Sequence, residues 1–305
     1  QGSTYHIVYR SHPGSDPAFV RSGLERLFAN VDKSLSIYND SSVISLINRN
    51  ISCETDSMFR EVFRLSKKVW EETGGAFDIT VGPLVKAWGF GPDALKRFDP
   101  QKRDSLLTLV GMEKIKLQGD RVIKALPGMY IDMNAIAQGY TVDLTLRFLK
   151  EEGITDCLVE IGGEVGSSGN KGGHGWVVGV DKPVDGNNSP GNDMEAVIKL
   201  DNMALATSGN YRKFYVDNGV KYSHTIDPHT GYPARHTILS ATIIARDCAT
   251  ADAFATACMV IGKENAIDMI QKHPELDGYI IWSDEIGNLN TWTSERIRQN
   301  VREIK

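Results

Sequence analysis

From Cys157 onward the chain sets strand-forming runs one after another, CLVEIGGEVG, WVVGV, AVIKL and KFYVDNGVKYSHT, joined by glycine- and asparagine-rich connections. Strand runs without a regular βαβ alternation read as largely antiparallel sheets. Asn218-Gly219 inside the last run suits a tight primed turn and makes that stretch a hairpin. The remainder interleaves helices without a regular βαβ alternation. Phe19, Leu24, Leu27, Phe28, Val31 and Leu35 recur at helical spacing over about 16–35, a short helix follows over 42–48, and SMFREVFRLSKKVWEETGG reads as a helix stopped by Gly74-Gly75. Residues 114–126 read as a second hairpin, and a helix opens after the turn at Asp132 and ends at Gly153. The strand ILSATIIA, helices over 248–261 and 263–272 and the hairpin YIIWSDEIGNLNTW complete the chain. The expected fold is α+β, largely antiparallel sheets with packed helices. It forms one domain over 1–305, a mainly helical part over about 1–112 packed with a strand-rich part over about 113–305.

Charge narrows the partners. The 34 Lys+Arg stand against 39 Asp+Glu with no block of like charge, which argues against nucleic acid or an anionic membrane surface. No apolar run is long enough to span a bilayer. Gln1 is an unusual natural start, so an upstream segment carrying an export signal is expected. Cys53, Cys157, Cys248 and Cys258 are scattered without a CxxC pair and are expected to be free thiols.

Several stretches combine small residues with carboxylates and hydroxyls. In GGAFDITVGPL, over 74–84, a short segment is held between two glycine corners, and Asp78 can simply cap the following turn. In IDMNAIAQGYTVD, Asp132 or Asn134 can cap a helix whose start is stripped of bulk by Ala135, Ala137 and Gly139. That suits either a phosphate seat or close packing on a sheet. VEIGGEVGSSG reads as a tight turn or as a close backbone approach to a ligand, and Thr207, Ser208 and Gly209 in ALATSGNYRKF offer hydroxyls and N–H groups at a strand end. In CATADAFATACMVIG, Asp252 and Thr256 lie four apart and share a helix face, either as a capped, solvated face or as two oxygen ligands for a hard cation such as Mg2+. HTIDPHTGYP is a turn-rich corner in which His224, at a strand end, can accept a proton near neutral pH, whereas His229 and His236 are expected to face solvent.

Together and in this order these stretches resemble the ApbE family of flavin transferases over roughly 3–295. The resemblance implies the family's α+β, T-fold-related architecture. It also implies Mg2+-dependent cleavage of FAD, transfer of FMN to a threonine of an acceptor protein through a phosphoester, and release of AMP. The acceptors implied are subunits of Nqr- and Rnf-type membrane redox complexes or related flavoproteins, and the location is the periplasmic or cell-envelope side with a possible lipid anchor. Carried over by position, the metal is held by the carbonyl of Ala135 with Asp252 and Thr256. FAD meets Tyr38, Ala76, Phe77, Asp78, Asp132 and Gln138, with Thr207 and Ser208 beside them, and His224 is the base. Asn134 and Gln138 differ from the residues usual at these positions in the family. The alternatives are an FAD pyrophosphatase using the same site, a flavin-binding protein without turnover, and a protein-interaction module.

Overall fold

The computed structural model of the chain describes residues 3–12, 14–90, 98–184, 191–210, 214–217, 220–223 and 225–304. Gln1, most of the loop over 185–192, Asn218-Gly219 and His224 lie outside these residues.

The strands are β1 (Tyr5–Tyr9), β2 (Ile115–Gln118), β3 (Arg121–Lys124), β4 (Cys157–Ile161), β5 (Glu164–Ser168), β6 (Trp176–Asp181), β7 (Met194–Leu200), β8 (Ala204–Gly209), β9 (Phe214–Asp217), β10 (Val220–Ser223), β11 (Ile238–Ala245), β12 (Asp277–Ser283), β13 (Leu289–Thr293) and β14 (Val301–Glu303). The helices are α1 (Pro17–Leu35), α2 (Val43–Asn48), α3 (Ser57–Glu72), α4 (Gly82–Ala87), α5 (Arg103–Leu107), α6 (Asn134–Glu151), α7 (Cys248–Ile261) and α8 (Lys263–Lys272).

Seven strands form one sheet in the order β1-β4-β5-β8-β11-β12-β13, and each neighbouring pair runs antiparallel. β1, from the helical N-terminal part, is an edge strand of this sheet, so the two parts of the chain share it. The two-residue period of a strand sorts its side chains between two covers. Ala206, Ala241, Ile243 and Ile280 join a core built with α3, α6 and α7, while Leu205, Ile244, Tyr279 and Ile281 join one built with β6 and β7. The latter strands belong to a three-stranded sheet ordered β14-β7-β6. Burial on both faces explains why ILSATIIA is nearly continuously apolar rather than alternating.

α7 follows the same logic. It is buried all round, and its alanines keep it thin enough to lie between the large sheet and α6. Gly139 completes the fit. A Cβ there would stand 2.4 Å from the backbone oxygen of Cys248, so the α6–α7 crossing requires glycine.

Candidate active site

Residues 129–135 are held from three sides. Asn48, at the end of α2, donates from Nδ2 to the Ile131 carbonyl at 2.8 Å and accepts the Ile131 N–H at Oδ1 at 2.7 Å. Lys124 Nζ donates to the carbonyls of Ile47, Asn48 and Met129 at 3.0–3.3 Å, and burial lowers the pKa of its ammonium. The Asp132 N–H donates to the Ile79 carbonyl at 2.7 Å, tying this turn to the AFDIT segment. Gly82 lies against the Tyr130 ring and carbonyl, where a Cβ would clash.

Asp132 accepts the Asn134 N–H at 2.9 Å and so turns the chain into α6. Burial raises its carboxyl above the usual range, opposed by that N–H and by the charge of Lys86. Tyr38, 65% exposed, is close enough that the Asp132 charge adds to burial in raising its phenol.

The first turn of α6 is not regular. Ala135 has φ −82° and ψ 15°, which swings its carbonyl off the helical direction. The N–H of Gly139, which an uninterrupted helix would aim at that carbonyl, donates to Asp252 Oδ2 at 3.1 Å. Asp252 is 6% exposed, and burial pushes its carboxyl up to about 7, with the Gly139 N–H pulling the other way. Four residues on, the Thr256 hydroxyl lies 3.3 Å from Ser208 Oγ at the end of β8. Thr207 turns to the neighbouring strand, its hydroxyl 2.8 Å from Thr242 Oγ1. A buried carboxylate, a carbonyl at a helix irregularity and a hydroxyl on the same helix face as the carboxylate are oxygen donors of the kind a hard cation such as Mg2+ takes.

The described part of the HTIDPHTGYP corner, from residue 225 on, meets the residues that follow α3. His229 bridges its own turn and the end of α3: Nε2 is 3.0 Å from the Gly74 carbonyl and Nδ1 is 3.2 Å from Asp227 Oδ1. Trp88 Nε1 donates to the Gly231 carbonyl at 2.8 Å, and the Trp88 ring stacks on Phe98 with centroids 3.9 Å apart. His229 and His236 are exposed, as expected, yet both are anchored, the latter with Nε2 2.7 Å from the Val260 carbonyl.

Other site residues divide by role. Ala76 and Phe77 are core residues, 3% and 2% exposed. The Asp78 carboxylate accepts the Thr80 N–H and hydroxyl on one oxygen and the Met112 N–H on the other, so it caps the turn and pins residue 112. Burial raises its pKa, with these hydrogen bonds working against the shift. Gln138 donates to Ser3 Oγ at 3.2 Å and lies over Gly162, where a Cβ would be 1.9 Å from its Nε2. Gly162-Gly163, both at positive φ, form the two-residue turn between β4 and β5 and leave room for that side chain. His224 lies outside the described residues.

Hydrogen bonds and close contacts therefore connect the described parts of every singled-out stretch. The corner meets residues 74–75, AFDIT meets the Asp132 turn, α6 meets both the β4–β5 turn and α7, and α7 meets β8. Asn48 and Asp143 were not apparent from the sequence because each binds backbone groups, which leave no residue pattern at the partner position. Glu72, the last residue of α3, with His273 and Glu275 also brings ligand atoms within 4.8 Å of one another. Among these, His273 Nδ1 lies 3.0 Å from Glu275 Oε1, and Glu72 lies 3.8 Å from Lys68 Nζ.

The ApbE family model matches residues 1–280. The chain is 35% identical over 273 residues to the FAD:protein FMN transferase of Vibrio cholerae, covering 87% of this chain and 80% of that protein. It is 32% identical over 312 residues to the FAD:protein FMN transferase of Escherichia coli K12, covering 98% and 87%. Among solved structures, the flavin transferase ApbE from Vibrio cholerae superposes with a TM-score of 0.88 at 31% identity, covering 98% of this chain and 96% of that one. The apbe protein from Thermotoga maritima superposes with a TM-score of 0.83 at 30% identity, covering 98% and 100%.

Proposed function

The chain belongs to the ApbE family, and on that premise we propose that it is an FAD:protein FMN transferase that moves FMN from FAD to a threonine hydroxyl of an acceptor flavoprotein, dependent on Mg2+ and releasing AMP. Flavin transfer is the activity named for its relatives. The observation that carries the finer reading is the α6–α7 crossing. There the off-helix Ala135 carbonyl, the buried Asp252 carboxylate and the Thr256 hydroxyl offer oxygen donors, and the Gly139 N–H fixes one oxygen of Asp252.

In this scheme the acceptor threonine oxygen forms a bond to the phosphorus of the FMN half. The bond from that phosphorus to the bridging oxygen breaks, and AMP leaves with the electron pair. The threonine proton passes to His224, the candidate base. When bound, Mg2+ supplies charge neutralisation at the pyrophosphate. Asp252, Thr256 and Ala135 would hold it, the α6 N-terminus would face the phosphates, and Tyr38 with Asp132 and Gln138 would orient the remainder of FAD. The acceptors proposed are subunits of Nqr- or Rnf-type redox complexes or related flavoproteins, and the location is the periplasmic or cell-envelope side. Both rest on the family resemblance.

Intact-mass spectrometry of an acceptor fragment incubated with the protein, FAD and Mg2+ tests the reading, with FMN and AMP followed in parallel. The expected result is an FMN-sized adduct, absent with EDTA and absent when the target threonine is alanine. Free FMN and AMP without an adduct on any tested acceptor would make the enzyme a pyrophosphatase. The formation of neither product would overturn turnover itself.

A further inference from the structure

α6 and α7 exchange carboxylates. On α6, Gly139 and Asp143 lie four apart and share a face; on α7, Cys248 and Asp252 do the same. The Gly139 N–H donates to Asp252 Oδ2 at 3.1 Å, and in return Asp143 accepts the Cys248 N–H on Oδ1 at 2.7 Å and the Ala249 N–H on Oδ2 at 2.9 Å. Each helix thus presents backbone N–H groups to the other's acid, across a gap so narrow that Gly139 cannot carry a Cβ.

We infer that Asp143 is a positioning residue for the Asp252 carboxylate, setting the place of α7's first turn against α6 and thereby the affinity of the divalent-cation site. The inference rests on the proposed cation reading of Asp252.

Asp143 takes first-turn N–H groups that the local cap of α7 does not reach. α7 already has a local cap, since Asp247 at its N-terminus accepts the Thr250 N–H at 2.8 Å. An acid brought in from another helix does what a local cap cannot, which is to fix one helix relative to the other. Its placement is also unfavourable in itself. Burial pushes the Asp143 carboxyl up to about 7, against the pull of the two N–H groups. One helical turn separates the N–H groups that Asp143 holds from Asp252, so slippage of that turn moves the Asp252 oxygens relative to α6, whose Gly139 N–H one of them accepts. Partners that orient metal ligands in this way typically alter affinity by about 10–100-fold when removed.

The test compares Asp143→Asn, Asp247→Ala and Asp252→Ala with the parent protein. Mn2+ affinity is measured by electron paramagnetic resonance of the free ion, and thermal unfolding is followed in EDTA. In Asp143→Asn one N–H meets an amide donor instead of an acceptor, and Mn2+ affinity is expected to fall at least about tenfold. Asp247→Ala removes the local cap of the same helix and is expected to lower the melting temperature while leaving Mn2+ affinity within about twofold, since the hydrogen bond it removes lies within α7. Equal loss of affinity in the two variants, or unchanged affinity in Asp143→Asn, overturns the inference and leaves Asp143 a plain cap. Asp252→Ala separates the premise: Mn2+ binding that survives it refutes the cation reading itself. Should Asp143→Asn not fold, Asp143→Ser, which keeps one acceptor, carries the same comparison.

Discussion

Asn48 engages Ile131 through both backbone groups at once, donating to its carbonyl at 2.8 Å and accepting its N–H at 2.7 Å. A buried side chain here stands in for a neighbouring strand, and three residues later the chain kinks at Asn134–Ala135 into α6. Asn48→Ala leaves two buried backbone groups of Ile131 without this partner and is expected to destabilise the protein by about 2–4 kcal/mol. FAD affinity should fall as well, because Asp132 follows directly. Urea unfolding and flavin fluorescence titration check the two effects, and a variant of parent stability would show that water replaces Asn48 at no cost.

Gly139→Ala tests the helix crossing from the opposite direction. Alanine is the better helix former by about 1 kcal/mol, so intrinsic propensity alone would stabilise α6. The added Cβ meets the Cys248 backbone oxygen at 2.4 Å, and a backbone oxygen moves only if α7 moves. The expected net result is a loss of about 1–3 kcal/mol from overpacking, read by thermal unfolding. A more stable variant would mean that the helices stand farther apart than described.

How far the sequence discloses this molecule depends on whether a group acts through its side-chain pattern or through a backbone partner. The α7 segment is legible because it is alanine-rich and carries Asp252 and Thr256 at helical spacing, and the observed span, Cys248–Ile261, coincides with that reading. The β9–β10 pairing, Phe214 with Ser223 and Asp217 with Val220, is legible from the turn residues between the strands. The sheet order is not legible. Placing β8 between β5 and β11 depends on which apolar faces meet, and nothing local to ALATSG encodes it. Asp143 and Asn48 are hidden for the same reason: aspartate inside a helix and asparagine at a helix end are common surface residues, and only the arrival of a backbone segment from elsewhere gives them a role. Asp78 shows the converse, since its capping of a local turn was readable and is what the carboxylate does.

The cysteines differ enough in setting to be told apart chemically. Cys53 is partly exposed, with Arg121 Nη2 2.9 Å from its sulfur, whereas Cys157, Cys248 and Cys258 are buried. Burial pushes the Cys157 thiol up to about 11 and Cys258 up to about 12, and raises Cys248 well above its ordinary value. A raised thiol pKa keeps the reactive thiolate scarce until the pH approaches that value. Native protein is therefore expected to take up iodoacetamide at one site, Cys53, from pH 7 to 9, and at all of Cys53, Cys157, Cys248 and Cys258 in denaturant. Peptide mass mapping reads the outcome, and native labelling of Cys258 would contradict the burial of α7.

Asp252 and His224 should fail in different ways when replaced, and the difference bears on the proposed division of labour between cation site and base. Asp252→Ala removes a donor from the oxygen set at the α6–α7 crossing. It is expected to abolish turnover at any Mg2+ concentration that supports the parent, while the protein still melts cooperatively, because α7 keeps its caps at Asp143 and Asp247. His224→Ala leaves that set intact. Removal of a general base typically costs about 10²–10⁴-fold in rate, so transfer should slow by that order while FAD affinity and the Mg2+ concentration for half-maximal activity stay near those of the parent. Single-turnover kinetics at saturating FAD separate rate from affinity in both variants. An equal loss of rate and FAD affinity in His224→Ala would make it a binding residue and leave the threonine proton to another group, and unchanged activity in Asp252→Ala would remove the cation from the crossing.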